Sequence, residues 1–131
     1  MNTTNIAVWG LGNHAINRIL PALASIDGVR LVGVCSRNSK VVEECEKQWG
    51  CYGWYSPDEM LNHNDVHVIY VSTPIGVHFY CVEQALKSGK HVWCEKPLTC
   101  DYEETKFLVC LAEKVNKGLT ESFMYLHHAQ F

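Results

Sequence analysis

The 131-residue chain reads as an α/β protein, a doubly wound parallel sheet with helices on both faces and strand order 3-2-1-4-5-6. Three observations carry that expectation. Short apolar runs rich in β-branched and aromatic residues alternate, without a break, with stretches of helical periodicity. The first run, Ile6-Ala7-Val8-Trp9, stops at a glycine turn, Gly10-Leu11-Gly12-Asn13-His14-Ala15. No repeat, low-complexity segment or linker interrupts the alternation, so residues 1–131 are expected to form a single domain.

Residues 6–9 show no polar alternation, as expected of a strand buried on both faces. Beyond the turn, Ile16, Ile19, Leu20 and Leu23 recur at helical spacing, and Pro21 should kink that helix or restart it. Asp27-Gly28 is a turn, and Val29–Cys35 a second strand. Val41, Val42 and Cys45 mark one face of a second helix that ends near Gly50, and residues 51–54 are a short third strand. In Ser56-Pro57-Asp58-Glu59 the serine can cap a brief helix, the proline suits its first turn, and Glu59 completes a capping box.

Residues 66–71 are the strongest strand by composition. A helix follows with Cys81, Val82, Ala85 and Leu86 on its apolar face and Gly89 at its end; residues 91–95 are the fifth strand. Asp101 and Glu104 form a second capping box. The helix beyond is expected to bury Phe107, Leu108, Leu111 and Val115, to stop at Gly118, and to lead into a sixth strand over residues 119–124.

Composition narrows the class. With 47% hydrophobic and 19% charged residues the chain is globular, and a net charge of −3 gives no electrostatic reason to expect nucleic acid or an anionic membrane as partner. No apolar stretch reaches bilayer length, and Met1-Asn2-Thr3-Thr4-Asn5 lacks the regions of a signal peptide, so a cytoplasmic location is expected. The seven cysteines are odd in number, contain no CxxC pair and lie mostly in apolar runs; they read as small buried hydrophobes in a reducing compartment. His63 and His67 flank the turn Asn64-Asp65 and read as surface residues, so no metal is expected.

The chemistry concentrates at strand ends. Gly10, Gly12 and Ala15 follow the pattern GxGxxA: Gly10 for the tight turn, Gly12 for close approach of backbone N–H groups to a pyrophosphate, Ala15 for packing of helix on strand. Leu11, Asn13 and His14 complete this candidate cofactor turn. After the second strand the chain reads Cys35-Ser36-Arg37-Asn38, with no acid in the turn and Lys40 close behind. A carboxylate there would favour the ribose hydroxyls of NAD; Ser36 and Arg37 suit a 2′-phosphate, so NADP is favoured and NAD remains possible.

Ser72, Thr73 and Pro74 end the fourth strand beside the expected nicotinamide end, with the Thr73 hydroxyl available. His78, in phase with the apolar face of its helix, is expected to border the cofactor while holding the loop that bears Thr73. Glu95-Lys96-Pro97 closes the fifth strand. A lysine at this edge can polarise a carbonyl or manage the proton of an alcohol, and Glu95 can orient it.

Gly10-Leu11-Gly12, Ser72-Thr73-Pro74-Ile75-Gly76-Val77-His78 and the segment from Ser88 to Leu98 resemble the N-terminal Rossmann domain of the Gfo/Idh/MocA oxidoreductases. The resemblance implies NAD(P)-dependent hydride transfer involving sugars, polyols or related alcohols, with Lys96 at the nicotinamide as the catalytic residue. Ser36-Arg37 is similar to the corresponding turn of NADP users. Ile75 departs from the family's usual asparagine, and in Phe123-Met124-Tyr125-Leu126-His127-His128-Ala129-Gln130 the Leu126 and Ala129 positions depart from an arginine and a proline.

Members of that family continue into a second domain that shapes the substrate site, so this chain is expected to bind cofactor with little turnover alone. Its small-molecule substrate would be met through that second domain. Self-association is expected through an exposed domain face around Tyr125 and Phe131. The competing reading is a free-standing, non-catalytic dinucleotide-binding or redox-sensing module.

Overall fold

The structure is a computed structural model that describes residues 3–122. Its frame is six parallel strands in the order β3-β2-β1-β4-β5-β6, as expected. In chain order these are β1 (Thr4–Trp9), β2 (Val29–Cys35), β3 (Tyr52–Trp54), β4 (Val68–Val71), β5 (His91–Cys94) and β6 (Leu119–Glu121). The helices are α1 (Leu20–Ser25), α2 (Ser39–Trp49), α3 (Pro57–Leu61), α4 (His78–Lys87) and α5 (Tyr102–Val115).

Period-two alternation in the central strands divides the core. Ile6, Val8, Val34 and Tyr70 join Ala15, Leu20, Leu23, Val42 and Cys45 in one cluster, the α1–α2 layer. Ala7, Trp9, Ile69 and Val71 join Met60, Cys81, Val82, Leu86 and Leu108 in the other, from α3, α4 and α5. A continuous apolar strand such as β1 is thus apolar because each face meets its own helical layer.

Pro21 acts as expected. Ala15–Ile19 form a wide π-helical turn, and an α-helix restarts at Leu20 with the proline in its first turn. Proline has no N–H to give the preceding turn, so the wider hydrogen-bond spacing falls just before it.

Several boundaries differ from expectation for local reasons. β4 begins at Val68, because the Val66 N–H closes a turn onto the His63 carbonyl at 3.1 Å; Val66 is still buried. β5 ends at Cys94 and β6 at Glu121, and residues 123 and 124 of the expected sixth strand lie outside the described residues. Ser56 precedes α3 but makes no side-chain cap. Asp101 does cap α5, accepting from the Glu103 and Glu104 N–H groups, yet its own N–H is taken by Thr99 Oγ1 at 3.2 Å. The box is therefore closed by Thr99 where Glu104 was expected. α5 ends at Asn116 in the left-handed conformation (φ 57°), two residues before Gly118. Phe107 is half-exposed, since the core stripe of α5 is Leu108 and Ala112 with Leu111 and Val115 beside it; the Phe107 ring rests on Phe79, 5.6 Å away.

His63 packs its ring on Tyr52 and Trp54 and accepts from the Asp65 N–H, while the Asn5 N–H reaches His67 at 3.4 Å. Among the described residues no group of three His, Cys, Asp or Glu side chains is placed to hold a metal ion. No described helix is long and apolar enough to cross a membrane.

Cys35, Cys45, Cys81 and Cys94 are buried, Cys51 half-buried, and Cys100 and Cys110 exposed. Burial pushes the Cys35 and Cys94 thiols up to about 12, with Cys81 close to each adding to the rise, and pushes Cys51 up to about 11. Raised values mean less thiolate at a given pH and slower alkylation. At about pH 8, iodoacetamide should therefore modify Cys100 and Cys110 in the folded chain and reach Cys35, Cys81 and Cys94 only after denaturation, as peptide mass mapping would show.

Candidate functional site

The C-terminal ends of all six strands meet along one edge, and the loops leaving them are joined there by backbone hydrogen bonds. Ser36 N–H bonds to Trp54 O, Gly10 to Cys35 O, Ser72 to Trp9 O, Glu95 to Val71 O and Ser122 to Cys94 O, at 2.8–3.2 Å. The ladder thus runs one residue past each strand and fixes the start of every functional loop relative to its neighbour.

A crevice of about 860 Å³ opens at the middle of this edge, where the chain switches from the β1–β2 side to the β4 side. One wall is the glycine turn, Gly10 to His14. The second is the β2 loop, with Cys35, Ser36, Arg37 and Asn38. The third is the β4–α4 connection, with Ser72, Thr73, Pro74, Val77, Tyr80 and Cys81. Trp9 and Pro57 complete the lining.

The two glycines have different reasons to be there. Gly10 has φ +104°, and a Cβ on it would stand 2.6 Å from Ser72 C and Thr73 N, inside the backbone of the β4 loop. Gly12 has no such neighbour: a Cβ there would meet nothing within 4 Å, so its open side faces the crevice. Ala15 does not line the crevice but is fully buried in the α1–α2 layer, where a larger side chain would separate helix from strand.

In the β2 loop, Ser36 Oγ accepts the Asn38 N–H at 3.1 Å, which leaves its own hydrogen free for a ligand. Asn38 caps α2 through Val41 N–H at 3.4 Å, and the first turn of that helix carries no acid. Arg37 is exposed beside this electropositive helix start.

Beyond the crevice, His78 is 1% exposed and lies between two loops. Nε2 is 2.9 Å from the Thr73 carbonyl and Nδ1 is 2.8 Å from the Pro97 carbonyl. Both partners are acceptors, so a neutral ring donates to one of them, according to its tautomer, and only the imidazolium donates to both. His78 therefore holds the Thr73 loop as expected, and also the loop that follows Lys96, which sequence spacing did not reveal. The Thr73 hydroxyl meets Cys81 Sγ at 3.7 Å.

Glu95 and Lys96 lie at the end of β5, outside the crevice lining. Tyr70 donates its hydroxyl to Glu95 Oε2, and His14 Nε2 is 3.3 Å from the same oxygen. Burial and the Glu95 carboxylate both push the Tyr70 phenol far up, so it stays protonated as donor. Glu95 was expected to orient Lys96; among the described residues its partners are instead Tyr70 and His14, one in the sheet and one in the glycine turn. Lys96 is exposed, its peptide bond to Pro97 is cis, and Leu98 N–H is held by Glu121 Oε2 at 2.5 Å.

The structure brings ten of the expected residues around one crevice: Gly10 to His14, Ser36, Arg37, Ser72, Thr73 and Pro74. Sequence reasoning missed Trp9, Cys35, Asn38, Pro57, Val77, Tyr80 and Cys81. Position was the available signal for Trp9, Cys35, Asn38 and Pro57, each within three residues of a strand end; Val77, Tyr80 and Cys81 lie six to ten residues past β4 and carried no such signal.

A glycine turn at the switch point of a doubly wound parallel sheet defines a dinucleotide-binding domain. The chain belongs to the oxidoreductase family with an NAD-binding Rossmann fold, whose family model matches residues 4–123. It is 33% identical over 126 residues to a dTDP-3,4-didehydro-2,6-dideoxy-alpha-D-glucose 3-reductase of Streptomyces violaceoruber, covering 96% of this chain and 37% of that protein. The corresponding reductase of Streptomyces antibioticus is 36% identical over 123 residues, covering 94% and 38% respectively. A 3-ketoreductase from Actinomadura kijaniata, solved in complex with NADP, superposes with a TM-score of 0.94 at 32% identity over 98% of this chain and 41% of its own. The chain thus spans about 40% of the length of these relatives.

Gly10→Ala should cost about 3 kcal/mol or more of stability in urea denaturation, through backbone collision and positive φ. Gly12→Ala, facing open space, should change stability by less than about 1 kcal/mol in the same assay. His78→Leu removes the ring that lies between two loop carbonyls, leaving them without it in a buried site, and should cost about 2 kcal/mol or more in the same assay.

Proposed function

We propose that this chain is the cofactor-binding part of an NADP(H)-dependent oxidoreductase that interconverts a carbonyl and an alcohol on a sugar or related polyol. The observation that carries it is the crevice: a glycine turn open at Gly12 on one side, and Ser36 with Arg37 beside an acid-free helix start on the other. A dinucleotide fits that arrangement, with its pyrophosphate on the backbone N–H groups of residues 10–14 and a 2′-phosphate at Ser36 and Arg37. NAD would lack the phosphate that Arg37 would meet.

When bound, the cofactor supplies a hydride donor or acceptor at nicotinamide C4. The chain's own residues would do the rest at the β4–β5 side of the edge. Ser72, Thr73 and Pro74 would border the nicotinamide end, His78 would keep their loop and the Pro97 loop in register, and Glu95 would tie the glycine turn to β5 through His14. Lys96 would be the catalytic residue, meeting the substrate oxygen and holding its proton. Its ammonium has no ion pair among the described residues, which suits an incoming oxygen.

The similarity to dTDP-sugar 3-reductases and to an NADP-bound 3-ketoreductase supports a keto-sugar as substrate class. Selection among such sugars would come from a second domain of the kind those longer relatives have room for, and the chain by itself would bind cofactor with little turnover.

Titration with NADPH and NADH, followed by cofactor fluorescence, tests the cofactor assignment. NADPH should bind more tightly. Arg37→Ala should weaken NADPH by about tenfold to a hundredfold while changing NADH less than about twofold, the loss expected for a charge-assisted phosphate contact. Equal affinities in the native chain, unmoved by the substitution, would sink the NADP reading.

A further inference from the structure

We propose that Tyr80 is the adenine platform of this site, a specificity contact for the base that acts independently of Arg37. The inference rests on the dinucleotide reading above and adds a residue and a role to it.

The argument starts from what the other walls leave over. The glycine turn suits a pyrophosphate and the Ser36–Arg37 turn suits the ribose phosphate, so both polar parts of the adenosine half have partners. The base hangs from the ribose carbon next to the one that bears the 2′-phosphate. It must therefore lie within one sugar's width of Arg37, still inside the crevice. The surface facing that space is apolar: Trp9 and Cys35 at the strand ends, with Cys81, Val77 and Tyr80 from α4 and the turn before it. Trp9, Cys35 and Cys81 are buried floor.

Tyr80 differs from the floor. It is 54% exposed, in the first turn of α4 and off the helix face made by His78, Cys81, Val82, Ala85 and Leu86. Of the residues that line the crevice, Trp9, His14 and Tyr80 carry aromatic rings; Trp9 is packed into the core, and His14 stands in the glycine turn and meets Glu95. The Trp9 and Tyr80 rings meet edge to face, with centroids 6.5 Å apart and planes at 71°. Trp9 thus braces the tyrosine from behind, and the exposed tyrosine ring is presented at little further cost in side-chain entropy. A flat base with a π-face is the ligand chemistry that matches such a surface.

The contact would be indifferent to the 2′-phosphate, so it makes a different pattern from Arg37. Native chain, Tyr80→Ala, Tyr80→Phe and Arg37→Ala are titrated with NADPH, NADH and adenosine 2′,5′-bisphosphate, using calorimetry for the last. Tyr80→Ala should weaken all three ligands by about tenfold, the size of one base–aromatic stack, and Tyr80→Phe should restore native affinity because the ring face is kept. Arg37→Ala should weaken only the two ligands that carry the phosphate. Tyr80 is half-exposed, so the alanine variant should keep the native circular dichroism and urea midpoint, separating a binding effect from a folding one. Native-like affinity of Tyr80→Ala for all three ligands overturns the platform and leaves the cofactor reading standing. Failure of the native chain to bind any of them overturns both.

Discussion

The site depends on one contact between backbones. β1 and β4 are adjacent strands, and the turn leaving β1 must pass so close to the start of the β4 loop that a single Cβ on Gly10 would overlap Ser72 and Thr73. This fixes the distance between the wall that would carry phosphates and the wall that would border the nicotinamide. Any residue with a side chain would force the two loops apart, and the loss would be geometric before it was energetic. The positive φ at Gly10 is the second half of the same constraint, because the turn reaches the crevice only by taking a conformation that L side chains avoid.

From that contact the edge is built outward by side chains that each join two loops. His14 leaves the glycine turn and meets Glu95, which also receives Tyr70 from β4. His78 joins the loops after β4 and β5, and Glu121 at the end of β6 holds the Leu98 N–H. Lys96 lies between these anchors: Glu95 precedes it, Pro97 and Leu98 follow it, and all three are bonded to other elements. A long, flexible lysine side chain is thereby mounted on a backbone that has little freedom of its own. If Lys96 meets a substrate oxygen as proposed, such an arrangement would reduce the ordering cost of that contact.

Strand order, the crevice and most of its walls were legible in the sequence because they follow from periodicity and from the fixed positions of strand ends. Features that depend on partners distant in sequence were not. Phe107 falls in a helical pattern that sequence alone extends too far; whether it is buried depends on where Phe79 lies. Ser56 and Asp101 present similar cap signatures, yet only Asp101 bonds, and Thr99 displaces Glu104 from the return contact. The short sequence gap between Glu95 and Lys96 suggested that one orients the other, but both lie past the end of β5, and the Glu95 carboxylate is taken by Tyr70 and His14, partners distant in sequence. Tyr80 was invisible as a site residue because, counted along its helix, it belongs to neither the apolar face nor an obvious motif. Only the crevice gives it a neighbourhood.

The distribution of protons at this edge completes the picture. Tyr70 is held protonated by burial and by Glu95, and the Cys35, Cys81 and Cys94 thiols are held neutral by burial. The floor beneath the loops therefore carries no mobile charge at neutral pH, and the charges that remain stand on the rim: Arg37 and Lys40 at the β2 end, and Lys96 with the engaged Glu95 at the β5 end. An apolar, uncharged floor leaves the fields of those rim groups poorly screened by the protein beneath them. The chain's net charge of −3 is thus no guide to the crevice, whose β2 wall carries Arg37 and no acid. Under the proposed reading, affinity for a phosphorylated ligand and a neutral surface for its base would both follow from this one sorting of charge to the rim and apolar groups to the floor.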